Sequence, residues 1–167
     1  RSCKGISAAF PGRAGEGSKE GEAMITVRPL EEKDVTVVSE IESRTFSMPW
    51  KEKDFLEMVK ADYAYYYVAE EDGVILGCCG LRNMAGEGEI TNVAVDAPFR
   101  RRGIAGKLLA HALKEAAQHG IGDCTLEVRV SNTPAIHLYE EFGFRGEGIR
   151  PDFYEKPKED ALIMWKR

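Results

Sequence analysis

Residues 92–109 read NVAVDAPFRRRGIAGKLL, and the fold turns on this stretch. A β-rich run containing Ile90, Val93 and Val95 passes through Pro98 into a segment rich in alanine and leucine, the outline of a strand, turn and helix unit. Three consecutive arginines, Arg100, Arg101 and Arg102, stand at the junction before Gly103. A helix N-terminus exposes unpaired N–H groups and partial positive charge, so Asp, Glu, Ser or Thr belong there. Residues 100–104 contain none of these. The missing counter-charge is therefore expected from outside the chain, as an anion seated on the helix end.

Downstream of the junction, Ile104, Leu108, Ala112 and Ala116 form an apolar helical stripe flanked by Leu109 and Leu113, and Gly120 closes it. His119 falls in the last turn, where the helix dipole favours a cation, which gives it a structural role. Cys124, Leu126, Val128 and Val130 then alternate with Thr125, Glu127 and Arg129, a period-two strand. Strand, helix and strand in that order imply a parallel pair joined by a right-handed crossover. A short helix follows, with Thr133 as its expected N-cap, Pro134 at its first position and Gly143 as its stop. The last strands are expected over 144–149 and 161–165, with the polar RPDFYEKPKED between them as a linker.

Upstream, residues 25–28 make a short strand ended by Pro29. From Glu31, Val35, Val38, Ile41 and Phe46 recur near helical spacing until Pro49 in FSMPW (46–50), and Phe55, Met58 and Val59 restart the pattern. Met48 and Trp50 in that connection either seal the core or form the lip of a substrate site. Residues 65–69 and 74–78 flank Asp72-Gly73, a strong hairpin signal, and a second turn over 85–88 leads into 89–95. The result is an antiparallel meander.

The chain has 167 residues, enough for one domain with a real core. Residues 1–23 are rich in Gly, Ser, Ala and charge without apolar periodicity, so a disordered or non-native tail is expected before a domain over 24–167. A net charge of −5 is unlike that of a general nucleic-acid binder, so the arginines are a local feature. No apolar run approaches the ~20 residues that cross a bilayer, and 1–23 lack the apolar core of a secretory signal, so a cytoplasmic protein with no membrane partner is expected. The cysteines Cys3, Cys78, Cys79 and Cys124 show no paired C-x-x-C spacing, which argues against zinc, any other metal centre and a disulfide framework.

Spacing narrows the anion. Gly106-Lys107 is followed by Leu108 where a P-loop requires Ser or Thr, and Arg101 stands where its first glycine belongs. Gly103-Ile104-Ala105-Gly106 lacks the Rossmann spacing and follows an antiparallel run. What remains is a nest of backbone N–H groups backed by guanidinium charge, suited to a pyrophosphate without a metal.

Arg100-x-x-Gly103-x-Ala105 resembles the Q/R-x-x-G-x-G/A signature of the GNAT acetyltransferases. The run 131–144, SNTPAIHLYEEFGF, is similar to the S-N-x-x-A-x-x-L-Y-x-x-x-G-F block of the bacterial RimI family, which acetylates the N-terminal alanine of a small-subunit ribosomal protein. The MPW, TNVAV, LEVR and EDALIM segments extend the likeness from Ile25 to about Trp165. This resemblance implies an α+β GNAT fold. Its sheet would be mixed and mostly antiparallel, with about seven strands flanked by about four helices, and one parallel strand-helix-strand crossover would lie at the CoA site.

The same resemblance implies an acetyl-CoA-dependent N-terminal acetyltransferase, expected as a monomer or weak dimer. Acetyl-CoA would be held by Val93, Ala94, Val95, Arg100, Arg101, Arg102, Gly103, Ile104, Ala105, Gly106 and Asn132. Glu127 would act as general base and Tyr139 as general acid, and Met48, Trp50 and Tyr154 would contact the acceptor. From the residues alone, Glu127 reads as a solvated strand position and Tyr139 as core packing beside Phe142 and Ala135, so both roles rest on the family. Transfer would be direct, with backbone N–H of 93–95 stabilising the oxyanion. A Cys124 nucleophile is disfavoured because neighbouring strand residues face opposite ways. Alternatives are a lysine or small-amine acetyltransferase and a non-catalytic acyl-CoA-binding module.

Overall fold

Positive backbone dihedrals mark the turns of the meander. In the computed structural model, which describes residues 24–167, Asp72 and Gly73 have φ of 50° and 78° and close the hairpin between two strands. The expected tail over 1–23 lies outside the described residues. The chain runs through β1 (Thr26–Pro29), α1 (Val35–Thr45), α2 (Glu52–Lys60), β2 (Ala64–Glu71), β3 (Val74–Met84), β4 (Glu87–Val95), α3 (Ile104–Gln118), β5 (Cys124–Arg129), α4 (Thr133–Glu141), β6 (Arg145–Glu155) and β7 (Lys158–Lys166). The strands form one sheet in the order β1-β2-β3-β4-β5-β7-β6. Every neighbouring pair is antiparallel except β4 and β5.

Two cores follow from strand alternation. On one face, Val38, Ile41 and Phe55 of α1 and α2 pack against Tyr66, Val68, Cys78 and Ala94. On the other, Leu108 and Leu109 of α3 and Leu138 and Tyr139 of α4 pack against Leu126, Val128 and Met164. In β5, Cys124, Leu126 and Val128 are buried while Thr125, Glu127 and Arg129 are half-buried on the α1–α2 face.

The sheet opens at its one parallel contact. Among the described residues, β4 and β5 pair through Gly88–Cys124 and Glu89–Thr125, at their N-terminal ends. One step further, Gly80 pairs with Asn92 and Leu81 with Ile90, so Thr91 is an extra residue in β4. Such a bulge increases local twist and bends its strand. Beyond it β4 keeps β3 on one side, and alternate N–H and C=O groups point toward the gap before β5.

Three expectations need correction. The N-cap of α4 is Asn132, whose Oδ1 accepts from the Ala135 N–H at 3.3 Å, and Thr133 and Pro134 lie inside the helix. The polar stretch expected as a linker is instead strand, for β6 and β7 pair along 145–155 and 158–166. β6 is an exposed edge strand, so no burial alternation betrays it. Finally, β3 runs to Met84 rather than ending at Cys78, because its second half pairs with both neighbours.

Candidate active site

Bonds that leave the helix end uncapped hold the junction between β4 and α3. Asp96 accepts from the Ala97 N–H at 3.1 Å and from Arg44 through Nε at 3.2 Å and Nη2 at 3.0 Å. A single 3-10 turn, Ala97–Phe99, carries the chain to Arg100, whose Nε donates to the Val95 carbonyl at 3.1 Å. Arg102 forms an ion pair with Glu71. Arg100 and Arg102 are thus engaged within the protein, while Arg101 is exposed with φ of 67°.

Gly103 is the N-cap of α3 at φ of 72°, with no side-chain cap and no acidic residue in the first turn. The helical ladder begins with the Lys107 N–H to the Gly103 carbonyl at 3.1 Å, so residues 103–106 have no intrahelical acceptor for their N–H groups. Nothing stands within 4 Å of where a Gly103 Cβ would lie, which leaves a ligand room to approach the backbone. A Gly106 Cβ would instead meet Phe142 and Leu138 at about 4 Å, so that glycine faces α4 rather than the anion site. These features fit the pyrophosphate nest expected from sequence.

The expected proton-transfer residues lie on opposite sides of β5. Glu127 belongs to the α1–α2 face, with its side chain 14% exposed and its Oε1 2.8 Å from Arg150 Nη1. Tyr139 is buried in α4 among Leu126 and Val128, with its ring edge-on to Phe144 at 5.7 Å. Asn132 spends its side-chain oxygen on the helix cap. Cys124 points away from Glu127 into the core, and burial raises its thiol pKa. Burial also raises Cys78 far above the usual thiol range and pushes Cys79 up to about 12.

The acceptor-side residues divide by environment. Trp50 stacks on Tyr66 at 5.8 Å and tilts against Phe55 at 5.5 Å, sealing the core. Met48 is 38% exposed and lines a cavity of about 670 Å³ with Pro49, Asp54, Arg82 and Lys156. A second cavity, about 400 Å³, is lined by Glu87, Glu89, Glu127, Arg150 and Trp165. The 2.9 Å Arg82–Glu89 ion pair joins the linings of the two. Tyr154 is buried beneath Arg129, whose guanidinium sits 4.2 Å from its ring centroid and bonds the carbonyls of Lys156 and Pro157 at 3.1 and 2.9 Å.

A buried polar network under this face escaped the sequence reading. Glu42 of α1 is fully buried, and its Oε1 accepts from Asn92 Nδ2 at 3.0 Å and from the Trp50 N–H at 3.3 Å. Tyr66 Oη meets Asn92 Oδ1 at 3.1 Å and also bonds Thr91, the bulge residue. Burial keeps the Tyr66 phenol well above its ordinary pKa, so it stays protonated as a donor. The network ties the Met48–Trp50 loop to the strand that borders the gap. A sequence signal existed: Glu42 lies seven residues after Val35 and four after Val38, on the apolar stripe of α1.

Comparison with known proteins gives a consistent result. Residues 35–144 match the Acetyltransferase (GNAT) family. The chain is 38% identical over 140 residues to a Bacillus subtilis (strain 168) protein whose name provisionally assigns it as a [ribosomal protein bS18]-alanine N-acetyltransferase; the match covers 83% of this chain and 93% of that protein. It is 34% identical over 143 residues to the [ribosomal protein bS18]-alanine N-acetyltransferase of Escherichia coli (strain K12), covering 84% and 96%. The crystal structure of the ribosomal-protein-S18-alanine N-acetyltransferase from Escherichia coli superimposes with a TM-score of 0.79 at 32% identity, over 86% of this chain and 93% of that one. No helix among the described residues is long and apolar enough to cross a membrane.

Proposed function

The chain belongs to the GNAT acetyltransferase family, and on that premise we propose that it transfers acetyl from acetyl-CoA to the N-terminal α-amine of a protein beginning with alanine, a ribosomal protein of the small subunit being the natural acceptor. One observation carries this reading: the uncapped, left-handed Gly103 end of α3 opens beside the gap where β4 parts from β5, the strand of Glu127. Relatives at 34–38% identity over most of their length supply the acceptor. A ribosomal acceptor puts the reaction in the cytoplasm, with residues 24–167 acting as one domain.

In this reading the pyrophosphate of acetyl-CoA sits on the N–H groups of 103–106 with Arg101 beside it, while Arg100 and Arg102 brace the loop through Val95 and Glu71. Glu127 takes a proton from the acceptor ammonium. The amine nitrogen then attacks the thioester carbonyl and forms the C–N bond. Along Val93, Ala94 and Val95 the N–H groups alternate, and those of Val93 and Val95, which face away from β3 toward the gap, stabilise the oxyanion. As the C–S bond breaks, the leaving thiolate takes a proton from Tyr139, a phenol whose ordinary pKa of about 10 suits a thiolate near 8.5, and the phenolate so formed takes the remaining proton from the new amide nitrogen. Met48 faces the acceptor directly, and Trp50 and Tyr154 shape the walls from beneath.

The experiment uses two peptides that begin with alanine and contain one internal lysine, identical except that one has a blocked α-amine. The free peptide gains one acetyl group at its α-nitrogen and the blocked peptide gains none. Equal labelling of both would assign the activity to lysine side chains.

A further inference from the structure

We propose that Arg150 is a positioning residue for the reaction, holding the Glu127 carboxylate ionised and turned into the cavity on the α1–α2 face. The proposal rests on the general-base reading of Glu127. Arg150 lies on β6 opposite Ala161, and Glu127 lies on β5 opposite Ile163, so the guanidinium reaches across the whole width of β7 to make its 2.8 Å contact. That reach is built rather than incidental. Between Arg150 and Tyr154 the register shifts and residues 151–153 bulge from the strand. The Asp152 N–H anchors the bulge on Asp160 Oδ1 at 2.9 Å, and the Phe153 ring lies 5.3 Å beneath the Arg150 guanidinium. An arginine head stacked on an aromatic face and bonded at one nitrogen is pre-oriented.

The charges around Glu127 explain why it needs such a partner. The lining of its cavity includes Glu87 and Glu89 from β4, Glu127 itself from β5 and Arg150 from β6, while β7 contributes the uncharged Ile163 and Trp165. Arg82 of β3 is paired with Glu89. Among the described residues that line this cavity or pair with its lining, three carboxylates face two guanidinium groups with Arg150 present and one without it. Like charges favour protonation of a carboxylate and an opposite charge disfavours it, so Arg150 keeps Glu127 in the form that accepts a proton. By binding Oε1 it also fixes the rotation of the group presented to the acceptor.

The test is the pH dependence of kcat/KM for an alanine-starting peptide at saturating acetyl-CoA, measured for the parent, Arg150→Met, Arg150→Gln, Arg150→Lys and Glu127→Gln. Ionisation of the peptide's own amine is common to every curve and cancels in the comparison. In Arg150→Met and Arg150→Gln the acidic limb moves to higher pH by about one unit, with roughly ten-fold lower activity on that limb and a smaller loss above it. Arg150→Lys recovers part of the shift, because a point charge remains without the fork. Superimposable limbs in the uncharged variants would overturn the proposal, even if activity or melting temperature fell uniformly, since a merely structural arginine predicts that pattern. Glu127→Gln separates the two layers: if it is inactive while the limb stays fixed, the Arg150 proposal alone fails. Parent-like activity in Glu127→Gln would remove the general-base reading and the proposal with it.

Discussion

Two buried carboxylates show how much depends on single residues. Glu42 accepts from the buried Asn92 amide and the part-buried Trp50 N–H together, so its removal takes an acceptor from both donors. Glu42→Leu should lower stability by about 3 kcal/mol, whereas Glu42→Gln keeps a carbonyl at that place and should lose far less; chemical denaturation resolves the two. Asp34 receives two bonds from Arg28, at 2.7 and 2.9 Å. Burial works to raise its pKa, but the bonds from Arg28 and the Glu31 backbone outweigh it and hold the group below the usual carboxylate range. A depressed folded pKa means that the stabilisation is complete above the unfolded value of about 3.9 and disappears as pH falls through the folded one. Asp34→Asn should therefore cost about 2 kcal/mol at neutral pH, with the gap to the parent closing below about pH 4 in a denaturation series. The chemistry of these residues was partly legible in sequence. A glutamate on the apolar stripe of α1 is a visible anomaly, but its partners 8 and 50 residues away are set by packing that no local pattern encodes.

At the scale of elements, the start of α3 is the clearest case of sequence disclosing structure. Three arginines without an acidic cap implied an exposed helix end, and the left-handed Gly103 with open space around it is that end. Gly103→Glu should abolish the rise in melting temperature expected with acetyl-CoA, by placing a carboxylate in the proposed pyrophosphate nest. Gly103→Ala should retain that rise while lowering the baseline stability by about 1 kcal/mol, the strain of a side chain at positive φ. The division of labour among the arginines was not legible, because the partner of Arg102 is Glu71, 31 residues away across the β2–β3 turn. The last two strands were legible at 144–149 and 161–165, but their continuation through 150–160 was not, for another reason. Strand patterns are read from one buried face, and β6 has none over most of its length. Even so, it is the element that carries Arg150 and Tyr154.

For the whole molecule, the meander and the crossover could be read from periodicity, because each strand and helix buries a regular set of apolar side chains, whereas the division of the core between two faces of the sheet is seen only in the structure. The parting of β4 and β5 could not. It follows a one-residue bulge at Thr91 whose place is set by the pairing of β4 with β3, and Gly80 there leaves room for the Tyr66 ring, which a Cβ would approach within 2.3 Å. Gly80→Ala should therefore disturb the ring, its bonds to Thr91 and Asn92, and with them the border of the gap. Its expected signature is a fall in acetyl transfer larger than the fall in stability alone would cause. In the proposed mechanism the gap receives acetyl-CoA between Glu127 on one face of β5 and Tyr139 on the other. The decisive measurement is the rate of CoA release with an alanine-starting peptide in Glu127→Gln and Tyr139→Phe, alongside the acetyl-CoA-induced shift in melting temperature. Each substitution should slow release by at least about 100-fold while the thermal shift stays at the parent value; rates equal to the parent's in both variants would contradict the account.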